Sequence, residues 1–399
     1  MSTRNTATRF GSVAKTFHWL TALLILTAIP LGLIAEDMAH GITQGDSAAL
    51  AQVATLFSLH KTIGVAAFLT AMLRILWAVV QPKPGLPNGA KQGEAFLAAL
   101  IHWALYGALV IVPLSGWVHH AAQTGFAPIW WPFGQTLPFV PQNAAWADAA
   151  GSVHWLSTKI LIGSILLHVA GALKHHFIDR DDTLRRMLPG HAEAAPSAVQ
   201  PGHAMPAALA AAVWVGIIGW GVAGTAAEAP QPAAMAQGAG EWQVQDGELA
   251  ITVQQFGSAV QGQFGQWQAD IAFDPETGTG DVTVTIAIGS LTLGSVTDQA
   301  LGPDYFDAAT HESARFNAEI ARSEGGARAY TATGTLTIKD QSVPVTLPFD
   351  LEIADGTATM TGGLTLDRRD FGIGAQMTDP GQLGFAVEVS VGLTARRAE

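Results

Sequence analysis

The stretch VHWLSTKILIGSILLHVAGAL, Val153 to Leu173, is apolar enough to lie in lipid yet carries a histidine near each end, His154 and His168. At about 100° and 1.5 Å per residue, the fourteen steps between them bring the second imidazole to within roughly 40° of the first and about 21 Å further along the axis. One helix face therefore presents two imidazoles at two membrane depths. A histidine inside a span is costly and tends to be functional, and paired imidazoles are a common way to hold haem iron. The spacing reads as half of a two-haem electron-transfer site.

Composition supports a membrane setting for part of the chain. Of 399 residues, 49% are hydrophobic and only 13% charged, and the mean hydropathy is +0.28, unusual for a wholly soluble protein. The charge is uneven: residues 1–240 carry +2 and residues 241–399 carry −14 of the total −12. Twelve of the thirteen histidines fall in the first part, His311 being the exception. Two physically different domains are joined. The acidic part gives no footing for nucleic acid. With no cysteine there is no disulfide, no thiolate metal site and no covalent haem attachment, so any haem is expected to be b-type.

Hydropathy marks five spans long enough to cross about 30 Å of hydrocarbon: Lys15 to Ala35, Val53 to Val80, Phe96 to His119, Val153 to His176 and Met205 to Ala223. Arg4, Arg9 and Lys15 precede or open the first, Lys83 and Lys91 lie between the second and third, and Lys174, Arg180, Arg185 and Arg186 follow the fourth. The other loops, Glu36 to Gln52 and Ala121 to Gly151, hold no Lys or Arg. The positive-inside rule then predicts a cytoplasmic amino terminus and a periplasmic carboxyl-terminal half. The fifth span has no histidine and leads into an Ala/Gly/Pro-rich segment. It reads as an uncleaved anchor followed by a flexible linker, with cleavage near Ala226 to Ala229 the other option.

Orientation pairs the histidines. His18 opens the first span at the cytoplasmic side and His168 lies late in the fourth, at the same depth; His60 and His154 open the second and fourth spans on the outer side. Facing helices of a bundle can carry such pairs across a porphyrin. A lone histidine at any of these places would serve as readily in packing or proton relay; four at two matched depths favour ligation. His102 competes for the inner site, and His119 and His120 for the outer one. Lys61 and Lys159 lie near the outer ligands in sequence, where a cation could pair with a propionate or draw in an anion such as superoxide. Arg74 could serve an inner propionate. Each could equally snorkel to the interface. His175, two turns beyond His168, could relay a proton to a quinone.

Residues 241–399 alternate apolar and polar, as in Asp281 to Ile288, Tyr330 to Ile338, Val343 to Leu351 and Phe385 to Val391, the pattern of short antiparallel strands. A sandwich and a closed barrel both fit. Phe256, Phe264, Trp267, Phe306 and Phe316 are candidate cavity-lining, lipid-binding residues or ordinary core. His311 reads as a surface residue.

Two resemblances sharpen these expectations. Thr16-Phe-His18-Trp, Leu59-His60-Lys-Thr-Ile-Gly64 and the run from His154 through His168 and His175-His176 to Asp182-Thr-Leu-Arg-Arg-Met-Leu-Pro189 resemble the bacterial cytochrome b561 family over about residues 10–190. The resemblance implies a four-helix bundle with two haem b groups on His18, His60, His154 and His168. It also implies electron exchange with quinone or quinol, from superoxide in at least one branch. Gly257-Ser-Ala-Val-Gln-Gly-Gln-Phe264, Ile271-Ala-Phe-Asp274, Leu301-Gly-Pro-Asp-Tyr-Phe-Asp307, Gly334-Thr-Leu-Thr-Ile338 and Arg369-Asp-Phe-Gly-Ile-Gly374 are similar to the YceI family over about 242–395. That implies a lipocalin-like barrel for long isoprenoid chains. Where that family usually has a histidine-bearing motif near its first strand, this chain has Gly247-Glu-Leu249.

The expected organisation is an α-helical membrane bundle, with a four-helix dihaem core and a fifth anchoring span, followed by an all-β antiparallel lipocalin-like barrel. Its boundaries are 1–190, 191–240 and 241–399. The expected role is inner-membrane electron transfer between quinone and an outer partner, joined to a periplasmic isoprenoid-binding domain. The alternative is an anchored lipid-binding or transport protein with an accessory cytochrome.

Overall fold

The computed structural model describes residues 2–41, 47–123, 127–226, 240–294, 296–323 and 329–397. It divides into two compact units, an α-helical one and an all-β one. Among the described residues, five helices are long and apolar enough to cross a membrane: α1 (Ser12–His40), α2 (Ser47–Val79), α3 (Gln92–Ala122), α4 (Ala144–Lys174) and α5 (Ala204–Ala226). They coincide with the five spans read from hydropathy, although α1 runs on to His40, which the sequence reading left in a loop. Leu23, Leu26, Leu73, Leu76 and Leu166 are all more than half exposed, an apolar surface suited to lipid.

Small side chains set the helix spacing. Ala95, Ala99, Ala108, Ser115 and Ala121 of α3 are buried, as are Ala147, Ala150, Ser157 and Ser164 of α4, and these two helices form the most extensive helix pair. Without a hydrophobic drive in lipid, close backbone approach through small residues is what holds helices together. Asn143 caps α4 by accepting a hydrogen bond from the Trp146 N–H. The last turn widens into a π-turn, His175–Asp179, closed by Arg180 in the left-handed conformation at φ 56°.

The fifth helix departs from the expectation of a simple anchor. Trp214 and Ile217 pack with Ala108, Val112, Val153 and Leu161. A Cβ on Gly107 would fall on the Trp214 indole, and one on Gly221 would strike Val153. Two glycines thus let α5 seat against α3 and α4 as part of the bundle. The linker proposed from sequence lies almost wholly outside the described residues, as does the alternative cleavage site.

Among the described residues the all-β unit has ten strands: β1 (Trp242–Gln255), β2 (Ser258–Phe264), β3 (Trp267–Asp274), β4 (Thr279–Ala287), β5 (Leu291–Thr292), β6 (Ser313–Arg322), β7 (Tyr330–Ile338), β8 (Gln341–Ala354), β9 (Thr357–Asp367) and β10 (Leu383–Arg397). All pairings are antiparallel, and eight strands close a ring in the order β1-β10-β9-β8-β7-β6-β4-β3, with β3 returning to β1 at Ile271 and Trp242. β2 and β5 extend from one end of β1. In β6, Ala314, Phe316, Ala318 and Ile320 are buried while Arg315, Asn317 and Glu319 face out, the period-two alternation of a barrel wall. The ring encloses an apolar cavity of about 270 Å³, which decides for a barrel over a sandwich.

Candidate functional site

The two histidines expected on the outer side meet across the bundle. The rings of His60 on α2 and His154 on α4 have centroids 6.1 Å apart with planes at 86°. With metal–imidazole bonds of about 2 Å and ring nitrogens about 1 Å from their ring centres, two axial imidazoles need centroids about 6 Å apart. His60 Nδ1 lies 2.8 Å from the Ala28 carbonyl of α1, and His154 Nδ1 lies 2.8 Å from the Val112 carbonyl of α3. A carbonyl can only accept, so each Nδ1 carries the proton and each Nε2 keeps the lone pair that a metal requires.

Glycine makes room for both rings. A Cβ on Gly32 would lie 2.8 Å from His60 ring atoms, and one on Gly116 would lie 2.9 Å from those of His154. Each glycine follows the accepting carbonyl by four residues, so carbonyl and cleared space lie on one helix face. The segments Ala28-Ile-Pro-Leu-Gly32 and Val112-Pro-Leu-Ser-Gly116 thus form the same dock twice. His119 uses the arrangement a third time: its Nδ1 is 2.7 Å from the Ala147 carbonyl, and Gly151 lies against its ring.

Three histidines gather at the end expected to be inner. The His18 and His168 centroids are 6.2 Å apart with planes at 54°, while His102 and His168 are 5.0 Å apart at 90°. At the first spacing two imidazoles would both reach one iron; the second is too short for that. His102 Nδ1 is 2.6 Å from the Ala98 carbonyl one turn back in its own helix. Arg74 Nη2 lies 3.5 Å from His18 Nδ1, with its guanidinium 5.9 Å over the Tyr106 ring. Both histidine sets fit b-type haem by donor type and spacing, but only His60 and His154 have Nδ1 on a carbonyl; His18 Nδ1 can only accept from Arg74.

The other predicted residues divide. Lys61 turns toward α3, with Nζ 3.3 Å from His120 Nδ1, and His120 Nε2 is 2.8 Å from Gln135 Oε1. Lys159 does not join them: it is exposed, with Nζ 5.2 Å over the Trp155 ring. Five steps from His154 put it about 140° around the helix, and it snorkels beside an aromatic instead. His175 Nδ1 is 2.7 Å from Asp181 Oδ2, and its Nε2 is 3.4 Å from Asn88 Nδ2. Nearby, Lys174 pairs with both Glu94 and Asp179.

In the barrel, Phe264, Trp267, Phe306 and Phe316 line the cavity, and Phe256 does not. Phe256 occupies the two-residue β1–β2 turn with Gly257, both at positive φ, where strand alternation ends. The inward place before it belongs to Gln255. His311 lies 3.6 Å from Asp340 and 4.0 Å from Asp307. The docking glycines, Gln255 and Arg368 were missed from sequence; a glycine repeated inside apolar spans was the one signal available for the docks.

Residues 9–190 match the family model described as prokaryotic cytochrome b561. The chain is 34% identical over 191 residues to cytochrome b561 homolog 2 of Escherichia coli, covering 47% of this chain and 95% of that protein. The chain belongs to the prokaryotic cytochrome b561 family. Membership implies binding of haem b and makes this a multi-pass inner-membrane cytochrome. The cytochrome is also 28% identical over 173 residues to the probable superoxide oxidase CybB of Yersinia pestis, covering 43% of this chain and 91% of that one. Residues 242–395 match the YceI-like domain model. Among solved structures, Burkholderia cenocepacia BcnA is 30% identical and covers 37% of this chain and 95% of its own, with a TM-score of 0.35. A Campylobacter jejuni YCEI protein is 22% identical over 35% of this chain and 85% of its own, with a TM-score of 0.32.

Proposed function

We propose that this cytochrome binds two b haems, one on His60 and His154 and one on His18 and His168, and exchanges electrons between quinone and an outer partner. The observation that carries the reading is the pair of imidazole centroid separations, 6.1 and 6.2 Å, each involving a histidine of α4, at which two histidines would hold one iron. When bound, haem supplies reversible one-electron transfer. The protein holds the ligands, excludes water with apolar helices and governs proton access.

In this reading the amino terminus is cytoplasmic and the barrel periplasmic, as the loop charges favour. The domains run 1–190, 191–240 and 241–399. Lys61, held near His120, supplies positive charge at the outer end to attract an anion; similarity to a probable superoxide oxidase supports superoxide as that donor. At the inner end His175, hydrogen-bonded to Asp181, can hold and pass a proton to or from quinone. The YceI-like barrel takes a long isoprenoid chain into its apolar cavity.

The test is a haem-to-protein ratio with a reduced-minus-oxidised spectrum on protein purified from membranes. A ratio near two with low-spin b-type bands is expected. Protein without haem would end the proposal, and a ratio of one would remove the second site.

A further inference from the structure

The barrel cavity has one polar end. Besides tryptophan, Gln255, Gln299, Tyr305 and Arg368 are the only polar side chains among its described lining residues, and contacts chain them together. Gln255 is the strand partner of Leu383, whose carbonyl accepts from Arg368 Nη2 at 3.1 Å. Arg368 Nη1 donates to the Gly374 carbonyl at 2.7 Å. The Tyr305 ring lies against Gly374, so that a Cβ there would sit 3.0 Å from it. Gln299 Nε2 donates to Tyr305 Oη at 3.3 Å.

The donor and acceptor inventory of this end is specific. Arg368 looks like an anion anchor, but its five N–H groups already reach five carbonyls: Gly384, Ile373, Gly374, Met377 and Leu383. A guanidinium has no further donor. The residue fastens the barrel end and cannot also grip a phosphate. Tyr305 accepts from Gln299 and keeps its own proton to donate. Gln255 is only 6% exposed, and its Oε1 is buried with no hydrogen-bond partner, so it lacks a donor.

We propose that this end is a head-group subsite selecting a long-chain isoprenoid that terminates in a neutral hydroxyl, whether a quinol or a prenol, over the matching quinone or a phosphorylated prenol. A hydroxyl can supply the donor that Gln255 Oε1 lacks, and as an acceptor it can also take a proton from a group such as Tyr305. A quinone carbonyl or an ether oxygen leaves Gln255 Oε1 orphaned, which costs binding. A phosphate brings further acceptors and charge to a place where no described lining residue has a vacant cationic donor. The proposal rests on the isoprenoid-binding reading of the barrel.

The experiment uses the full chain in detergent, stripped of lipid, with decaprenol, its methyl ether and decaprenyl phosphate as probes. None of the three is redox-active. Decaprenol should bind roughly tenfold tighter than either other probe, the scale of one lost buried hydrogen bond. Gln255→Leu, similar in volume and free of the orphan atom, should keep the melting temperature and strengthen ether binding, abolishing the preference for the alcohol. Anaerobic binding of ubiquinol-10 and ubiquinone-10 to both proteins then separates the two sources, and a Gln255-dependent preference for the quinol assigns the head to a quinol. Failure of all probes to bind would end the isoprenoid reading itself. Equal binding of alcohol and ether, a preference for ubiquinone-10, or an alcohol preference that survives Gln255→Leu would overturn the subsite alone.

Discussion

The outer and inner histidine sets share a helix, α4, and nearly the same ring separation, yet they are held differently. His60 is anchored on α1 and His154 on α3, each through a backbone carbonyl and a glycine-cleared face. Helix packing thereby orients the imidazoles and assigns their tautomer. At the inner end, His102 bonds within its own helix and His18 lies beside the Arg74 guanidinium. There, orientation depends on side chains that can rearrange. A ligand oriented by a neighbouring backbone needs no reorganisation to bind metal, and such outer-shell partners commonly govern affinity by one to two orders of magnitude. The outer site is therefore the preorganised one.

The sharpest way to break this comparison is to remove ligands singly. His154→Ala and His168→Ala should each lower the haem ratio from about two to about one, taking away different haems in a redox titration. His60→Ala should match the first and His18→Ala the second. Loss of the same haem in both α4 variants would dissolve the two-site assignment.

Next in size is the dock. Gly116→Ala and Gly32→Ala should cut retention of the outer haem about tenfold or more, or convert it to high spin, while the inner haem keeps its spectrum. Gly163→Ala, where a Cβ meets nothing within 4 Å, is the control and should retain both haems. Equal damage to both haems by Gly116→Ala would mean that the glycine serves general helix packing.

A subtler test separates His18 from His102. His102→Ala should leave the inner haem bound and low-spin, since its 5.0 Å approach to His168 is too close for an axial pair. Retention of that haem in His18→Ala, with loss in His102→Ala, would reverse the assignment. The smallest effect is expected from Arg74→Gln. Removing a cation beside His18 favours the oxidised, more positive iron, so the inner midpoint should fall by on the order of tens of millivolts. An unchanged inner potential would show that Arg74 is screened from it.

Some of these features are legible in the residue order and others depend on the fold. Five spans follow from runs of apolar residues, which lipid requires whatever the packing. The grouping of His18 with His168 and of His60 with His154 follows from loop charge and depth, both linear properties of the chain. For Lys159 the snorkelling alternative holds: it is near His154 in sequence but not in space, because its helical phase turns it toward Trp155. Phe256 packs against the barrel core instead of lining the cavity, because a hairpin turn ends the strand alternation at Gln255. The packing role of α5 depends on Gly107 meeting Trp214, a contact between residues more than a hundred positions apart.

The sequence by itself determined the classes of structure and the chemical types available. These were apolar spans for lipid, imidazoles at two depths for metal, no thiol chemistry, and an acidic alternating segment for an antiparallel sheet. Each depends on local composition and period, which the backbone reads directly. Only the tertiary structure decided which carbonyl fixes each imidazole, which of three inner histidines has axial spacing, and whether the sheet closes around a cavity. It also showed that Arg368 has every donor occupied while Gln255 Oε1 has no partner. Those outcomes depend on directional bonds and close contacts between distant segments, and a hydrogen bond or a missing Cβ acts only once the partner that it faces has been brought alongside.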